Sequence, residues 1–295
     1  MMPHMRDPDT TIDADTTPVA DDMRLVDAGG LRRLERLGAR LVDRPAPGAT
    51  DWRRAVDAWS AADLRFDVGT GWSGAADTTS PWLAHLAGLE MELRPAAAGG
   101  VGVYPEHAAS LPWLESQVRA VASERGTQPM VLNLFAHTGL ATLVAARAGA
   151  SVAHVDGARS TVAWARRNAE RNDLADRPIR WLVDDALEFV AREARRGRRY
   201  DGIVLDPPTF GRAGRRQWHL EEGLPDLVRA CGDVAAEDAF VLLTAHTTGV
   251  DGAALAGVVT QSLDLGGRGL ETVALALDAE SGARLELGWA VRLGA

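Results

Sequence analysis

The 295-residue chain contains a single cysteine, Cys231, and this scarcity excludes several kinds of site. One thiol can form neither an intramolecular disulfide nor a multi-cysteine zinc or iron–sulfur site. The seven histidines are scattered, so we predict no metal. No apolar run is long enough to cross a bilayer, and aspartates stand near the N-terminus where a secretory signal needs an apolar stretch. These absences predict a soluble, cytoplasmic protein.

Lysine is absent as well, because all 32 basic residues are arginine. With 41 acidic residues the net charge is −9, which by itself argues against a polyanionic partner. The charge is unevenly spread, however. Residues 159–216 hold fourteen arginines against nine acidic residues, a local charge of +5 that leaves −14 for the rest. A basic surface is therefore expected in this part of the chain.

Composition divides the chain into three parts. Residues 1–22 are rich in Asp, Thr and Pro without apolar periodicity, which predicts a disordered tail. Residues 23–98 offer short strand candidates broken by Gly and Pro, typical of a small, mostly β module. Its tryptophans either fill a small core or stack on bases. Residues 99–295 alternate strand and helix patterns and predict a second domain.

Four predicted strands of the second domain each end in polar residues or turn-formers. Ligands of open α/β sheets bind beyond the carboxyl ends of the strands, so the pattern predicts a nucleotide site. Any one of these carboxylates is most simply read as a helix cap, but four strand ends in register favour a shared site. The strands are 131–135, 151–155, 179–183 and 202–205, followed by Thr138-Gly139, Asp156, Asp184-Asp185 and Asp206-Pro207-Pro208. Thr138 is expected to cap the helix that begins after Gly139.

The end of the chain changes character. A helix over 251–263 precedes strand-like runs at 271–277 and 285–292, joined by a turn at 278–282. This pattern predicts a hairpin that adds antiparallel strands at one edge of the parallel sheet. The fold class is therefore predicted as α/β, Rossmann-like, with a seven-stranded sheet and a C-terminal antiparallel hairpin, plus the small β module. A sheet that ends this way is typical of methyltransferases rather than of most dehydrogenases.

These segments resemble the class I S-adenosylmethionine-dependent methyltransferases, specifically the bacterial 23S rRNA methyltransferases that act on cytosine C5 or guanine N7. The similarity covers roughly residues 100–250. It is greater still to short, cysteine-lacking members, in which a glycine-rich basic loop and a Trp follow Asp-Pro-Pro. The matching segments are 104–110, 133–139, 155–156, 184–186, 206–210 and 243–249, with the loop at 211–218.

The resemblance implies a cofactor site for S-adenosylmethionine. Asp156 would take the ribose hydroxyls and Asp185 the adenine amino group, with Asp184 as its substitute. Glu106 and His107 stand where the family has a cofactor-facing Asp-Gln pair. The residues implied for the methionine part are Asn133, Phe135, Thr138 and Gly139.

The resemblance also places the chemistry at Asp206-Pro207-Pro208. The carbonyl of Pro207 can face an exocyclic amine of a base, and Phe210 follows after Thr209, a spacing that matches the rRNA family and disfavours adenine N6. C5-cytosine members need a cysteine nucleophile, but the corresponding residue here is Thr247. Cys231 lies in a helix-like run and is interpreted as a buried structural thiol. A nitrogen acceptor is therefore favoured over cytosine C5.

Two further assignments remain open at this stage. His246 is the best candidate for a general base and His137 the second, although either can be a packing histidine. The predicted substrate loop comprises Arg212, Arg215, Arg216 and Trp218, or these residues form an exposed mobile loop. The leading hypothesis is an RNA methyltransferase acting on an rRNA base. The alternatives are a methyltransferase for a small molecule or protein, a non-catalytic binding protein, and, weakest, a nicotinamide dehydrogenase, because the three-glycine fingerprint is missing.

Overall fold

A computed structural model describes residues 21–213, 216–247 and 249–295 of the chain. The side chains of residues 212, 213, 216 and 217 are outside this description. The predicted tail, residues 1–22, lies almost wholly outside it. None of the described helices is long and apolar enough to span a membrane.

The N-terminal part is mostly β, as the sequence predicts. One sheet has five strands in the order β1 to β5, and a separate hairpin pairs β6 with β7. Trp59 and Trp82 are buried, which supports the core interpretation for these two, whereas Trp52 is 91% exposed. The strands are β1 (Met23–Gly29), β2 (Arg32–Leu37), β3 (Arg40–Pro45), β4 (Leu64–Asp67), β5 (Gly71–Ser73), β6 (Trp82–Leu86) and β7 (Leu89–Leu93), with a 3₁₀ turn at Val56–Ala61.

The second part is built on a seven-stranded sheet in the order β10-β9-β8-β11-β14-β16-β15. Its strands are β8 (Met130–Leu134), β9 (Ser151–Asp156), β10 (Ile179–Val183), β11 (Tyr200–Leu205), β14 (Ala235–Ala245), β15 (Leu270–Asp278) and β16 (Arg284–Leu293). The first five pair in parallel, while β16 pairs antiparallel with β14 and with β15. The predicted Rossmann-like sheet and its C-terminal hairpin are thus confirmed.

The connections complete the architecture. The helices are α1 (Leu111–Arg125), α2 (Leu140–Arg147), α3 (Arg159–Arg171), α4 (Ala186–Arg195), α5 (Leu220–Gly232) and α6 (Gly252–Ser262). A 3₁₀ turn spans Pro105–Ser110, and a short hairpin pairs β12 (Phe210–Ala213) with β13 (Arg216–His219).

Alternation along the central strands explains why the sheet is covered on both faces. On β8, Val131 packs in one apolar core with residues of α1, α2 and α3, while Leu132 packs in the other with residues of α4, α5 and α6. Successive side chains of a strand point to opposite faces, so a strand that is apolar throughout needs a layer on each side. Strand order reverses at β8, which places the topological switch point, and with it the expected ligand crevice, at the ends of β8 and β11.

The N-terminal sheet is attached to the C-terminal hairpin. Leu25 and Ala28 of β1 pack in one apolar cluster with Leu285 of β16. Beside this cluster, the Ser281 hydroxyl donates to Asp27 Oδ1 at 2.7 Å, and Arg54 Nη1 donates to the Gly282 carbonyl at 2.7 Å. The first and last sheets of the chain are therefore held together by apolar packing and by hydrogen bonds.

Candidate active site

A cavity of about 500 Å³ opens at the carboxyl ends of β8 to β11. This volume is within the range of small-molecule and cofactor sites. All four acidic residues that the sequence places at the ends of these strands line it, together with apolar walls from the loop after β11. The lining residues include Tyr104, Phe135, His137, Asp156, Asp184, Asp185, Leu187, Asp206, Pro207, Pro208, Thr209, Gly211, Trp218 and His246.

The loop between β8 and α2, residues 135–139, has an unusual backbone. It is named the nucleotide loop because the sequence predicts a nucleotide site at this strand end. Phe135 and His137 have φ values of 55° and 48°, in the left-handed region that costs a non-glycine residue about 1–3 kcal/mol. Gly139 has φ 94°, and a Cβ there would lie 3.1 Å from the Ala165 Cβ. Such strained conformations occur mostly at ligand sites, where packing by the surrounding structure holds the loop in one shape.

Thr138 does not cap α2, contrary to one expectation from the sequence. The N-cap of α2 is Gly139, with no side-chain cap hydrogen bond. The buried Thr138 hydroxyl donates to the Gly102 carbonyl, and Asn168 Nδ2 donates to the Thr138 carbonyl at 2.9 Å. Thr138 therefore fastens the nucleotide loop to the segment before the 3₁₀ turn, while still lining a smaller cavity described below.

Asp156 is held with its carboxylate at the wall of the large cavity. Oδ2 accepts the His137 backbone N–H at 2.9 Å, and Oδ1 accepts the Ala158 backbone N–H at 2.9 Å. Each carboxylate oxygen can accept a second hydrogen bond. The carboxylate is thus fixed by the nucleotide loop and retains capacity for two hydroxyl donors, which suits a ribose diol.

The next strand end separates two neighbouring carboxylates. Asp184 pairs with Arg192 and its Oδ1 accepts the Asp185 backbone N–H at 3.0 Å. Asp185 is the N-cap of α4, with Oδ1 accepting the Glu188 backbone N–H at 2.9 Å. Both line the cavity. Because Asp184 is already neutralised by an arginine, Asp185 has the freer carboxylate for an exocyclic amino group.

A smaller cavity of about 50 Å³ adjoins the large one and is lined by Asn133, Phe135, Thr138, His107 and Ser110, among others. Asn133 is buried at the end of β8, and its Nδ2 donates to Thr142 Oγ1 at 2.8 Å. Gly139, which the sequence assigns to the cofactor, shapes the loop rather than lining either cavity among the described residues. Glu106 likewise lines neither cavity; it points instead towards Arg33 and His246.

Asp206 is the centre of a polar cluster at the end of β11. Its Oδ1 accepts the Thr244 hydroxyl at 2.6 Å and lies 3.4 Å from His246 Nε2, and its Oδ2 lies 3.6 Å from His107 Nε2. The two Nε2 atoms are 2.8 Å apart. The Tyr104 ring lies within 6 Å of the rings of His107, His137 and His246. Three segments distant in sequence thus meet at one carboxylate.

The charges in this cluster are set by burial and by mutual contact. Burial alone would raise the pKa of Asp206, but His107, His246 and the Thr244 hydroxyl hold it well below its usual range. Burial opposes the charged form of His246, yet the hydrogen bond and charge of Asp206, with Glu106, raise its pKa to about 9. Burial lowers the pKa of His107. At neutral pH the cluster therefore contains an Asp206 carboxylate, a protonated His246 and a neutral His107.

His246 is oriented from behind by the hairpin of β15 and β16. Its Nδ1 lies 2.9 Å from the Leu287 carbonyl, which can only accept, so Nδ1 carries a proton. A ring that is already protonated at neutral pH is a poor general base. The sequence suggested His246 as a proton acceptor. Its surroundings in the structure instead make the ring a charged partner of Asp206.

Trp218 and the loop after Asp206 form one wall. The Trp218 indole Nε1 donates to the Pro208 carbonyl at 2.7 Å, and its ring lies 5.6 Å from that of Phe135. Trp218 therefore lines the cofactor-sized cavity, whereas the sequence placed it in a substrate loop. Arg212 and Arg216 belong to the β12–β13 hairpin, but their side chains and the whole of Arg215 lie outside the described part of the chain.

A second large cavity, about 550 Å³, shares Thr209 and His246 with the first. Phe210 is 70% exposed at its edge and meets the His219 ring edge-on at 5.2 Å. Thr247, which stands in the place of a cysteine nucleophile, exchanges a 2.7 Å hydrogen bond with Thr209. The lining residues are Thr209, Phe210, His219, Leu220, Glu221, Glu222, His246 and Thr247.

Several site residues escaped prediction from sequence. Tyr104 and Thr244 contact the Asp206 cluster, and Leu187 lines the cofactor-sized cavity. Tyr104 begins the matched segment 104–110 and Thr244 lies in the matched segment 243–249, so both were within reach of sequence reasoning. The Leu287 carbonyl that orients His246 carries no sequence signal, because any residue supplies a carbonyl.

No protein-family model matches the chain. A solved structure of a SAM-dependent methyltransferase from Agrobacterium tumefaciens is 32% identical, with a TM-score of 0.87 over 93% of this chain and 91% of that one. A proposed SAM-dependent methyltransferase from Streptococcus mutans, 12% identical, has a TM-score of 0.71 over 92% of this chain and 76% of that one, which indicates a shared fold.

Curated relatives match over shorter segments. The ribosomal RNA large subunit methyltransferase K/L of Shewanella sp. (strain ANA-3) is 36% identical over 101 residues, 34% of this chain. The protein of the same name from Methylococcus capsulatus is 42% identical over 85 residues, 28% of this chain. The matched segments make up only 14% and 12% of those relatives' own lengths.

Proposed function

Since the chain belongs to the S-adenosylmethionine-dependent methyltransferases, we propose that it methylates RNA, with a nitrogen of an rRNA base as the acceptor. The observation that carries the proposal is the junction of two large cavities at Thr209 and His246, beside Asp206-Pro207-Pro208. One cavity suits the cofactor and the other an acceptor. The acceptor is the part that goes beyond the family.

The residues of the first cavity fit S-adenosylmethionine by their chemistry. Asp156 would hold the ribose hydroxyls and Asp185 the adenine amino group, with Leu187 and Pro208 as apolar neighbours. Asn133, Phe135 and Thr138, with the backbone turn at Gly139, would surround the methionine part. When bound, the cofactor supplies an electrophilic methyl group. Glu106 is left out of this set.

A nitrogen acceptor is favoured because the chain offers no suitable nucleophile. Cys231 is buried in α5, and burial raises the pKa of its thiol to about 12. Thr247 is engaged with Thr209, and a threonine hydroxyl needs an activating base. Transfer to nitrogen needs no covalent intermediate and depends chiefly on orientation.

The Asp206 cluster can provide that orientation. The Asp206 carboxylate is ionised and can accept an N–H of the acceptor, and the protonated His246 balances its charge. Phe210 presents an exposed ring in the acceptor cavity, where a base can stack. Oriented in this way, the acceptor nitrogen would offer its lone pair to the methyl group, whose bond to sulfur would break as the C–N bond forms, and the nitrogen would afterwards lose its proton to solvent.

The RNA part of the proposal draws on two supports. The K/L relatives, which match about a third of this chain, are named as rRNA methyltransferases. The β12–β13 hairpin contributes Phe210 to the acceptor cavity and carries Arg212 and Arg216, which together with Arg215 would bind phosphates. An rRNA substrate would place the enzyme in the cytoplasm.

The second candidate is a small-molecule or protein acceptor. It is favoured by Glu221 and Glu222, two exposed carboxylates in the wall of the acceptor cavity, which repel a polyanion. The net charge of −9 points the same way. For RNA to bind, the attraction of its phosphates to the arginines of the hairpin would therefore have to exceed their repulsion by Glu221 and Glu222.

The test is transfer of a labelled methyl group from S-adenosylmethionine into rRNA purified from a strain that lacks the gene, with rRNA from the intact strain as control. Label only in the first RNA supports the proposal, and nuclease mapping then gives the base. The Asp206→Asn protein is the matched catalytic control. Activity that survives dialysis against EDTA would support the predicted absence of a metal. No label in either RNA, with cofactor binding confirmed, would favour the second candidate.

A further inference from the structure

A row of buried charges runs from the N-terminal sheet to the acceptor-facing residues. Arg33 and Glu35 of β2, Arg44 of β3 and Glu106 of the 3₁₀ turn are each less than 10% exposed. Charges in a protein interior are costly unless they are paired, so such a row calls for an explanation.

The first half of the row is a closed ion pair. Arg44 Nε lies 2.6 Å from Glu35 Oε2, and Arg44 Nη2 donates to Glu35 Oε1 at 3.1 Å. This forked contact takes up both carboxylate oxygens of Glu35. Arg33, only 3.3 Å from Glu35 at its Nε, is left without a hydrogen bond there.

In the second half of the row, the charged groups are close together but are not hydrogen-bonded. Arg33 Nη1 and Glu106 Oε2 are 4.0 Å apart, and both atoms are buried without a hydrogen-bond partner in the described part of the chain. The other oxygen, Glu106 Oε1, lies 3.8 Å from His246 Nδ1. Glu106 thus stands between a buried guanidinium and the histidine that contacts Asp206.

We infer that Glu106 is a positioning residue that aims the His246 ring at Asp206, and that Arg33 competes with His246 for the Glu106 carboxylate. The N-terminal sheet is then a working part of the methyl-transfer centre rather than a separate recruiting module. The inference rests on the proposed function only in giving the His246–Asp206 pair its place beside the acceptor.

The groups around His246 define what should be measured. Glu106 and His107 face it from the 3₁₀ turn, Asp206 from the end of β11, and Tyr104 from the segment before the turn. The Leu287 carbonyl accepts from its Nδ1, and Arg33 and Arg44 lie behind Glu106. Of these side chains, Glu106, Arg33 and Arg44 line neither large cavity and form none of the contacts to Asp206 described above, so they can be changed without altering the acceptor contacts directly.

Two single substitutions should move the His246 titration in opposite directions. Glu106→Gln removes a negative charge next to the ring, so the ring should lose its proton at a pH about one unit lower. Arg33→Met removes the positive charge behind Glu106, so the ring should hold its proton to a higher pH. The titration is followed by histidine ring NMR, with the His246 signal identified by its loss in His246→Gln.

A double variant guards against simple misfolding. Arg33→Met with Glu106→Gln removes one charge of each sign, which should fold better than Arg33→Met alone and restore a titration close to that of the parent. The matched control is Glu193→Gln. Glu193 is an equally buried carboxylate with arginine partners, but it lies on α4 and accepts a hydrogen bond from the hydroxyl of Tyr200 on β11. That variant should lose stability without moving the His246 titration.

Opposite shifts, together with a lower kcat and a cofactor KM within about twofold in Glu106→Gln, support the inference. Equal shifts, or none, in folded variants would reduce Arg33 and Glu106 to a structural brace and overturn it. Because the titration needs no acceptor, failure to label rRNA would leave this result standing and count only against the proposed acceptor.

Discussion

The side of the cleft that we assign to the cofactor (the cofactor side) and the side that we assign to the acceptor (the acceptor side) are assembled in different ways. On the cofactor side, Asp156, Asp185 and the 135–139 loop each lie at the end of a parallel strand or just after it, and the strand order brings them together. On the acceptor side, His246 depends on Glu106, Asp206 and the Leu287 carbonyl, up to 181 residues apart in sequence. The cofactor side is therefore determined mainly by local sequence patterns, and the acceptor side by tertiary packing.

The difference teaches where substitutions should act. A change on the cofactor side acts on one contact to a ligand and on the one or two backbone N–H groups that the same side chain holds. A change on the acceptor side disturbs coupled charges, so its effects should depend on pH and should not add independently. Four substitutions or conditions should expose this contrast, with effects that range from about a thousandfold loss of activity to almost none.

Asp206→Asn should separate the two halves most sharply. The acceptor side loses the charge that orients the substrate and holds the proton on His246, so kcat should fall about 10³-fold. Cofactor affinity should stay within a few-fold, because Asp156 and Asp185 are untouched. Labelled methyl transfer and calorimetric titration with S-adenosylmethionine measure the two quantities. Full activity would remove Asp206 from the site, and the exposed Asp233→Asn is the surface control.

Asp156→Asn should do the reverse. Loss of a charged acceptor for the ribose hydroxyls should weaken cofactor binding by roughly 10–100-fold. Saturating cofactor should restore most of kcat. Asp184→Asn is the matched control, since its carboxylate already pairs with Arg192 and should contribute less. An unchanged dissociation constant for Asp156→Asn would contradict the assignment.

The acceptor side should also make stability depend on pH. The pKa of His246 rises from 6.5 to about 9 on folding, so its contribution is complete below pH 6.5 and is lost as the pH rises through about 9. The free energy of unfolding should fall by about 2–3 kcal/mol over this window. Urea unfolding of the parent and of His246→Gln measures it. A variant with the same slope as the parent would show that other groups are responsible.

Thr247→Ala should have the smallest effect. It removes one hydrogen bond to Thr209, which contributes about 1 kcal/mol, and no step of a nitrogen transfer uses the hydroxyl. Activity should therefore stay within about threefold, while Thr247→Ser should match the parent. A loss of more than 100-fold in Thr247→Ala, rescued in Thr247→Ser, would give the hydroxyl a direct part in catalysis.

The contrast also accounts for what the sequence could and could not foretell. Four of the five parallel strands were predictable because each is a short apolar run that ends at or near Gly, Asp or Pro, and their bounds agree with the structure to within about two residues. The C-terminal hairpin followed from two strand-like runs around Ser281-Gly282. These signals lie within a few residues of each other, where propensity and turn chemistry act.

The rest depended on contacts that no local pattern encodes. The resemblance directed Glu106 to the cofactor, whereas its carboxylate lies between the buried Arg33, 73 residues earlier, and His246. Thr138 looked like a helix cap because of its place before Gly139, yet the Gly102 carbonyl takes its hydroxyl. Trp218 was assigned to a substrate loop, but the Pro208 carbonyl fixes its indole over the cofactor-sized cavity. In each case a distant backbone or charge decided the outcome.

The contact between Asp27 and Ser281 sets an order of events during synthesis. The strand that holds Asp27 leaves the ribosome early. The β15–β16 hairpin on which it packs cannot form until Ser281, 254 positions later, has also been synthesised. A nascent chain can complete the cofactor loops well before that point, whereas the carbonyl that aims His246 comes only with Leu287. The enzyme should thus acquire the capacity to bind its cofactor before it acquires the capacity to use it.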